Sequence, residues 1–249
     1  MLKVKDFFQD FRNLLIINIL DIRTTWIFQM IFGLFTPLGL MFFLKFYVDL
    51  DNAQYVTKIL SGNIIISMTM PILLLLSSRI AILKKDGSID YYRTLPISMH
   101  AFVISLLVSL LIAYTPSIVF VFILGKLFLG VTITGVTTIL SIILTIMLAV
   151  ISLIGIASFI GWKAKEPQHA NAIGNILFTI MIALSPVIIP DDRIPMILAK
   201  TSYLFPVTYS SKLLGLILNN NFNMMFYRYI IILLGFAIVS CYILKRVWD

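Results

Sequence analysis

Six long stretches of this 249-residue chain, at about 25–46, 58–83, 99–124, 136–160, 171–189 and 224–244, are mostly apolar and contain no Asp or Glu. Each approaches or exceeds the ~20 residues that a helix needs to cross a hydrocarbon core of ~30 Å. Their apolar runs are continuous, whereas strands of a membrane barrel would alternate inward polar and outward apolar residues over about ten positions. In lipid only a helix closes all its backbone hydrogen bonds within one segment, so each run is expected to be a transmembrane helix. The composition agrees: 12% of the residues are charged, against about 25% in ordinary soluble domains. The expectation is an all-α integral membrane protein with six transmembrane helices in a single transmembrane domain, residues 1–249.

Residues 1–23 differ from the runs that follow. Val4, Phe7, Phe8, Phe11, Leu14, Leu15, Asn18 and Ile22 share one helical face, with Lys5, Asp6, Gln9, Asp10, Arg12 and Asn13 mostly elsewhere. That spacing predicts an amphipathic helix lying in the membrane interface. No short apolar core followed by a small-residue cleavage site marks a signal peptide here. Trp26 and Tyr47 are expected to anchor the first span at its two interfaces. With six spans both termini share a side, and Lys and Arg residues divide twelve to seven in favour of that side. Loop cations favour the cytoplasm, which places the termini there. The formal charge of +8 is thus read as a topology signal and not as a nucleic-acid surface. The proline-punctuated segment 190–223 falls on the outer side.

Catalytic motifs are missing. All eleven acidic residues lie outside the apolar cores or at their edges, whereas proton-coupled carriers and intramembrane aspartyl proteases place carboxylates within them. His100 and His169 are far apart and no HExxH occurs, so no metal site is expected. The single cysteine, Cys241, can form neither an intrachain disulfide nor a cysteine metal cluster. There is no GxSxG and no GxxxxGK[ST], so the chain is expected to carry no ATPase site of its own. Weak polarity does enter the spans. Thr36 lies in the first, Asn63, Ser67 and Thr69 in the second, and Asn171, Asn175 and Thr179 in the fifth. Asn63 with Ser67, and Asn171 with Asn175 and Thr179, form i, i+4 stripes that read either as packing contacts or as a substrate path.

The stretch KKDGSIDYYRTLPIS, Lys84 to Ser98, interrupts this apolar chain on the expected cytoplasmic side. It reads as a short helix on the membrane surface. Tyr91, Tyr92 and Leu95 would turn toward membrane or bundle, and Lys84, Lys85, Asp86, Asp90 and Arg93 would form a charged face. Pro96 separates it from the next span. Such an element suits a docking partner.

The residues GSIDYYRTLPIS resemble the pattern of ABC-2 type permeases, the membrane subunits of ATP-binding-cassette exporters: GTLE, an apolar residue, then (T)P(V/I)S. Gly87, Ser88, Ile89, Asp90, Pro96, Ile97 and Ser98 fall in register, while Leu95 stands where a threonine is usual. The order of elements is similar as well: an interfacial helix, six spans, a short second cytoplasmic loop, and a proline-bearing outer segment whose Pro206–Tyr209 step resembles the family's short re-entrant helices. The resemblance implies that Lys84 to Pro96 is a cytoplasmic coupling helix, and that Lys163 to His169, with Lys165 and Glu166, is a second contact. It implies two nucleotide-binding subunits that hold ATP and Mg, a second permease copy or sister permease, and a substrate path between the two copies.

Apolar walls carrying isolated Asn, Ser and Thr, with adaptable Met68, Met70, Met147 and Met181, suit an amphipathic cargo. The expected function is ATP-driven export of a peptide toxin, antimicrobial peptide or drug across a bacterial cell membrane. Richness in Ile, Lys and Asn suggests a low-GC Gram-positive source, where the resemblance is to small peptide-toxin permeases such as the phenol-soluble modulin exporters. The alternatives are an ATP-independent carrier or channel, a membrane-embedded enzyme, and a non-transporting assembly or sensor subunit.

Overall fold

The computed structural model describes residues 2–23, 26–27, 31, 35, 37–39, 42, 53–130, 135–185 and 196–248. They form ten α-helices and one π-helical turn, and no strand occurs among them. Helix α1 is Leu2–Ile22 and α2 is Ala53–Met70, which continues through the π-helical turn Pro71–Leu76 into α3, Ser77–Lys85. The others are α4 (Ser88–Thr94), α5 (Met99–Leu129), α6 (Val136–Lys163), α7 (Pro167–Leu184), α8 (Met196–Ser202), α9 (Pro206–Leu218) and α10 (Met224–Trp248). Among the described residues, four continuous helices are long and apolar enough to cross a bilayer: Tyr55–Lys85, His100–Leu127, Val136–Lys163 and Met224–Val247. They correspond to the second, third, fourth and sixth predicted spans. Most of the first predicted span, Thr36 included, lies outside the described residues, as do Asp191, Asp192 and Arg193 of the outer segment.

The fifth predicted span differs at its start. The break expected at GWKAKEPQHA is shorter, because Pro167 opens α7 instead of interrupting it. Its fixed φ is pre-set for a first helical position, where its missing N–H has no intrahelical partner to lose. Gln168, His169, Asn171 and Asn175 then make the first half of α7 polar, so α7 is not among the four helices above.

The continuous rod of α2, the π turn and α3 is the central pillar. Ile59, Leu60, Ile64, Ile65, Leu73, Leu76 and Ile80 are fully enclosed. Proline cannot donate to the i−4 carbonyl and crowds it, and the widened turn beginning at Pro71 accommodates that loss without ending the rod. The pillar's polar side chains bond back along their own helix: the Ser67 hydroxyl to the Asn63 carbonyl at 2.8 Å and the Thr69 hydroxyl to that of Ile65 at 2.7 Å.

Lipid tails give helices no hydrophobic reason to associate, so small residues must let backbones approach. On α7, Ala170 and Gly174 turn inward, and a Cβ on Gly174 would collide with the Leu73 carbonyl oxygen. Gly161 brings α6 equally close to Ser77 and Ile80. The π turn and the start of α3 are therefore gripped from two sides. Elsewhere α6 and α10 meet where the Gly155 N–H donates to the Ser240 hydroxyl at 2.7 Å.

Helix α1 lies against the start of α5. Leu14 and Asn18 are buried, Phe7, Phe11, Leu15 and Ile22 half-buried, and Ile16, Ile17, Ile19 and Leu20 exposed. Of the apolar face read from the sequence, every residue from Phe7 on packs at least partly inward except Phe8, which is 66% exposed, and the side chain of Val4 lies outside the described residues. Asn18 Nδ2 donates to the Ser105 hydroxyl at 3.0 Å, the Ser98 N–H donates to Asp10 Oδ2 at 3.1 Å, and Asp21 pairs with Arg79 of α3. At the opposite end of the bundle α8 and α9 are short, and the Thr208 hydroxyl joins the Ser202 carbonyl and the Ser185 hydroxyl.

Candidate functional site

The two charged loops predicted from the sequence meet in one surface. The first begins at the C-terminus of α3, where Asp86 and Gly87 turn the chain. Gly87 has a φ of +71°, a left-handed conformation that costs glycine no Cβ clash. The helix expected over Lys84 to Pro96 is shorter: Lys84 and Lys85 belong to α3, α4 spans only Ser88–Thr94, and Leu95 and Pro96 are extended or bent. It also has an anchor beyond those expected. Ile89 is buried and Tyr92 packs on Phe102, ring centroids 4.8 Å apart, while Tyr91 is 63% exposed. On so short a helix, Ile89 and Tyr92, three positions apart, share the face toward α5 and leave Tyr91 beside it.

The second loop is the end of α6 and the start of α7. The last carbonyls of a helix lack intrahelical donors and carry its negative dipole end. Lys84 answers both conditions: its Nζ donates to the Trp162 carbonyl at 2.6 Å and approaches that of Ala164 at 3.5 Å. Lys85 Nζ donates to Glu166 Oε2 at 2.6 Å. The Trp162 indole lies beneath two cations, with Arg93 5.0 Å and Lys84 5.5 Å from the ring centroid. The Lys85–Glu166 pair is exposed and screened by water, so it contributes little, and two cation–π contacts add roughly 0.5–1 kcal/mol each. Together they knit α3, α4 and α6 into one block.

Most of the expected charged upper face is thus occupied within the chain. Lys84, Lys85 and Arg93 face the second loop, whereas Asp86 and Asp90 are exposed. Asp90 reaches Arg93 only at 4.0 Å. Ser88 is half-buried; Gly87, Pro96, Lys165 and His169 are exposed. Lys163 departs from the group and borders a groove between α6 and α10. Trp162 was not singled out in the sequence. Its signal was a lone tryptophan closing an apolar run directly before KAKEP, which reads as an interfacial anchor.

The polar residues within the spans separate into two sets. Asn63, Ser67 and Thr69 are buried in the pillar. Asn63 Nδ2 donates to the Ile59 carbonyl at 2.9 Å, and its Oδ1 is enclosed with no hydrogen-bond partner. On α7, Asn171 is half-buried, and Asn175 and Thr179 are exposed beside Ile173, Ile176 and Ile180. The structure does not bring the two sets together: α7 turns Gly174 toward the pillar and Asn175 away from it.

A family model described as "ABC-2 type transporter" matches residues 9–219. The match runs from within α1 to the end of α9 and includes both loops. No curated protein matches the chain. The extent of the family match is decisive: this chain belongs to the ABC-2 type transporter family, as a multi-pass membrane permease subunit of an ABC-type transporter.

Proposed function

We propose that this permease drives export of an amphipathic cargo, and that the block formed by α4 and residues 162–169 is where a nucleotide-binding subunit docks. The observation that carries the proposal is the tie between the loops. A docking partner that moves α4 moves the C-terminus of α6 through Arg93 and Trp162, and with it the C-terminus of α3, which Lys84 and Lys85 tie to the Trp162 carbonyl and to Glu166. One surface contact is thereby converted into displacement of two membrane helices. The chemistry of ATP and Mg belongs to the partner; this chain supplies the contact surface and the path.

The full architecture proposed is six spans with both termini cytoplasmic in a bacterial cell membrane. Helix α1 lies in the interface, and α8 and α9 re-enter from the outer side. Two permease halves, identical or sister chains, pair with two ATPase subunits. The α7 stripe of Asn175 and Thr179 between Ile173, Ile176 and Ile180 supports a path along that face. It offers apolar contact with isolated hydrogen-bond groups and no fixed charge, which matches an amphipathic peptide or hydrophobic drug better than an ion. Asn171 lies on the same stripe. Asn63, Ser67, Thr69 and Thr36 belong to the wider proposed path, and the first three would be reached only if the pillar moves.

The test is co-purification in detergent with the ATPase encoded beside this chain, comparing wild type with the Asp86→Lys/Asp90→Lys variant. Both acids are exposed, and among the described ion pairs the change removes only the 4.0 Å approach of Asp90 to Arg93. Recovery with wild type and loss with the variant is expected. Equal recovery removes both acids from the interface, and no recovery with either form favours an ATP-independent carrier. In proteoliposomes, the purified complex should hydrolyse ATP faster with amphipathic peptide, and an unrelated solute acting alone would overturn the cargo assignment.

A further inference from the structure

Beyond the close contact of Gly155 with Ser240, α6 and α10 open a groove of about 480 Å³. Ile156, Phe159 and Ile243 supply its apolar wall, and Lys163 and Arg246, each on the last turn of its helix, stand at its charged end with Trp162 beside them. Both cations are exposed, and among the described residues neither forms an ion pair. An apolar cleft ending in two cations and aromatic rings, at the level where spans leave the bilayer, is complementary to one molecule always present there. The acyl chain of a lipid fits the cleft, and its anionic phosphate meets the cations.

We infer that the α6–α10 groove is a binding site for an anionic phospholipid, held through its phosphate by Lys163 and Arg246. This gives Lys163, which the docking block also includes, a partner in the bilayer, and it depends only on the chain being embedded in a membrane. The site touches the coupling block through Trp162, whose indole borders the groove while Lys84 and Arg93 lie over its ring.

Trp162 is the natural reporter. The full chain carrying Trp26→Phe and Trp248→Phe is reconstituted in phosphatidylcholine vesicles containing a small mole fraction of either phosphatidylglycerol or phosphatidylcholine brominated on the acyl chain. Each interfacial cation is worth about a fivefold preference for an anionic lipid, so brominated phosphatidylglycerol should quench at correspondingly lower mole fractions. Lys163→Gln/Arg246→Gln should bring the two lipids to parity, Lys163→Arg/Arg246→Lys should keep the preference, and high salt should weaken it. The conservative variant separates loss of charge from loss of fold. Equal quenching by both lipids in the parent protein, or a preference that survives the double Gln change, would overturn the site.

Discussion

Removing the Trp162 indole tests whether the two loops act as one body. In Trp162→Ala the backbone carbonyl that receives Lys84 remains, as do the Lys85–Glu166 pair and the packing of Ile89 and Tyr92 under α4. What disappears is the ring beneath Arg93 and Lys84. Only Arg93 belongs to α4, and its partly exposed cation–π contact amounts to about 0.5–1 kcal/mol; at 1.4 kcal/mol per tenfold that corresponds to about 2- to 5-fold more frequent opening of α4. Hydrogen exchange read by mass spectrometry on the purified full chain measures this at two amides: Tyr91 N–H, bonded to the Gly87 carbonyl, and Leu95 N–H, bonded to that of Tyr92. Exchange there should quicken by that factor while the interior of α6 is unaffected, with Trp162→Phe intermediate. Arg93→Ala should reproduce part of the effect and add little on a Trp162→Ala background, because the two changes remove one contact. Unchanged exchange at Tyr91 and Leu95 would refute the claim that the indole ties the loops. Acceleration throughout α6 would show general destabilisation instead.

The remaining predictions concern the helices behind the block. Gly174→Ala places a methyl against the Leu73 carbonyl oxygen, so α7 must shift, at about 1–3 kcal/mol; the detergent melting temperature should fall by several degrees, while Gly235→Ala, with nothing within 4 Å of the new Cβ, should hold or raise it. Equal melting of the two variants would contradict the close packing of α7 on the pillar. Asn175→Leu, on an exposed face, should leave assembly intact and change cargo-stimulated ATP hydrolysis in the complex. Asn63→Leu removes an enclosed Oδ1 that has no partner, so stability should hold or rise; a marked fall in the melting temperature would show that Asn63 is satisfied in the membrane.

The sequence made the second, third, fourth and sixth spans legible because apolar length and the exclusion of acids are local properties. The first charged loop was legible too, through its glycine, its proline and its resemblance to a family pattern. What it faces was not. Lys84 and Trp162 are 78 residues apart, and the need that joins them, uncapped carbonyls at the end of α6, becomes specific only when α3 ends beside it. The polar stripes expose a related limit. Asn63 with Ser67 and Asn175 with Thr179 share the same spacing, yet one pair is enclosed and the other exposed. The spacing of residues along one helix says which of them share a face, not what lies over that face. The difference came from small residues: Gly174 admits the pillar's backbone, and that contact fixes the direction of Asn175.

That same contact joins the proposed docking surface to the proposed path. Helix α3 leads from Lys85, at the surface, to Ser77, where α6 and α7 both approach it, and ends at the π turn begun by Pro71. Movement of its C-terminus must therefore carry the adjoining parts of α6 and α7 with it or break packing that leaves no room for a methyl group. The π turn is the first place along the pillar where the regular hydrogen-bond ladder is altered, so bending is cheapest there. The Trp162 and Asn175 variants consequently discriminate when taken together. If loosening the indole lowers cargo-stimulated hydrolysis and Asn175→Leu alters it without changing ATPase recovery, the two residues act at opposite ends of one linkage, because they lie on different helices with α3 between them. If only one variant has an effect, the rigid connection through Gly161 and Gly174 is insufficient, and the docking surface and the α7 face must be treated as separate features of the fold.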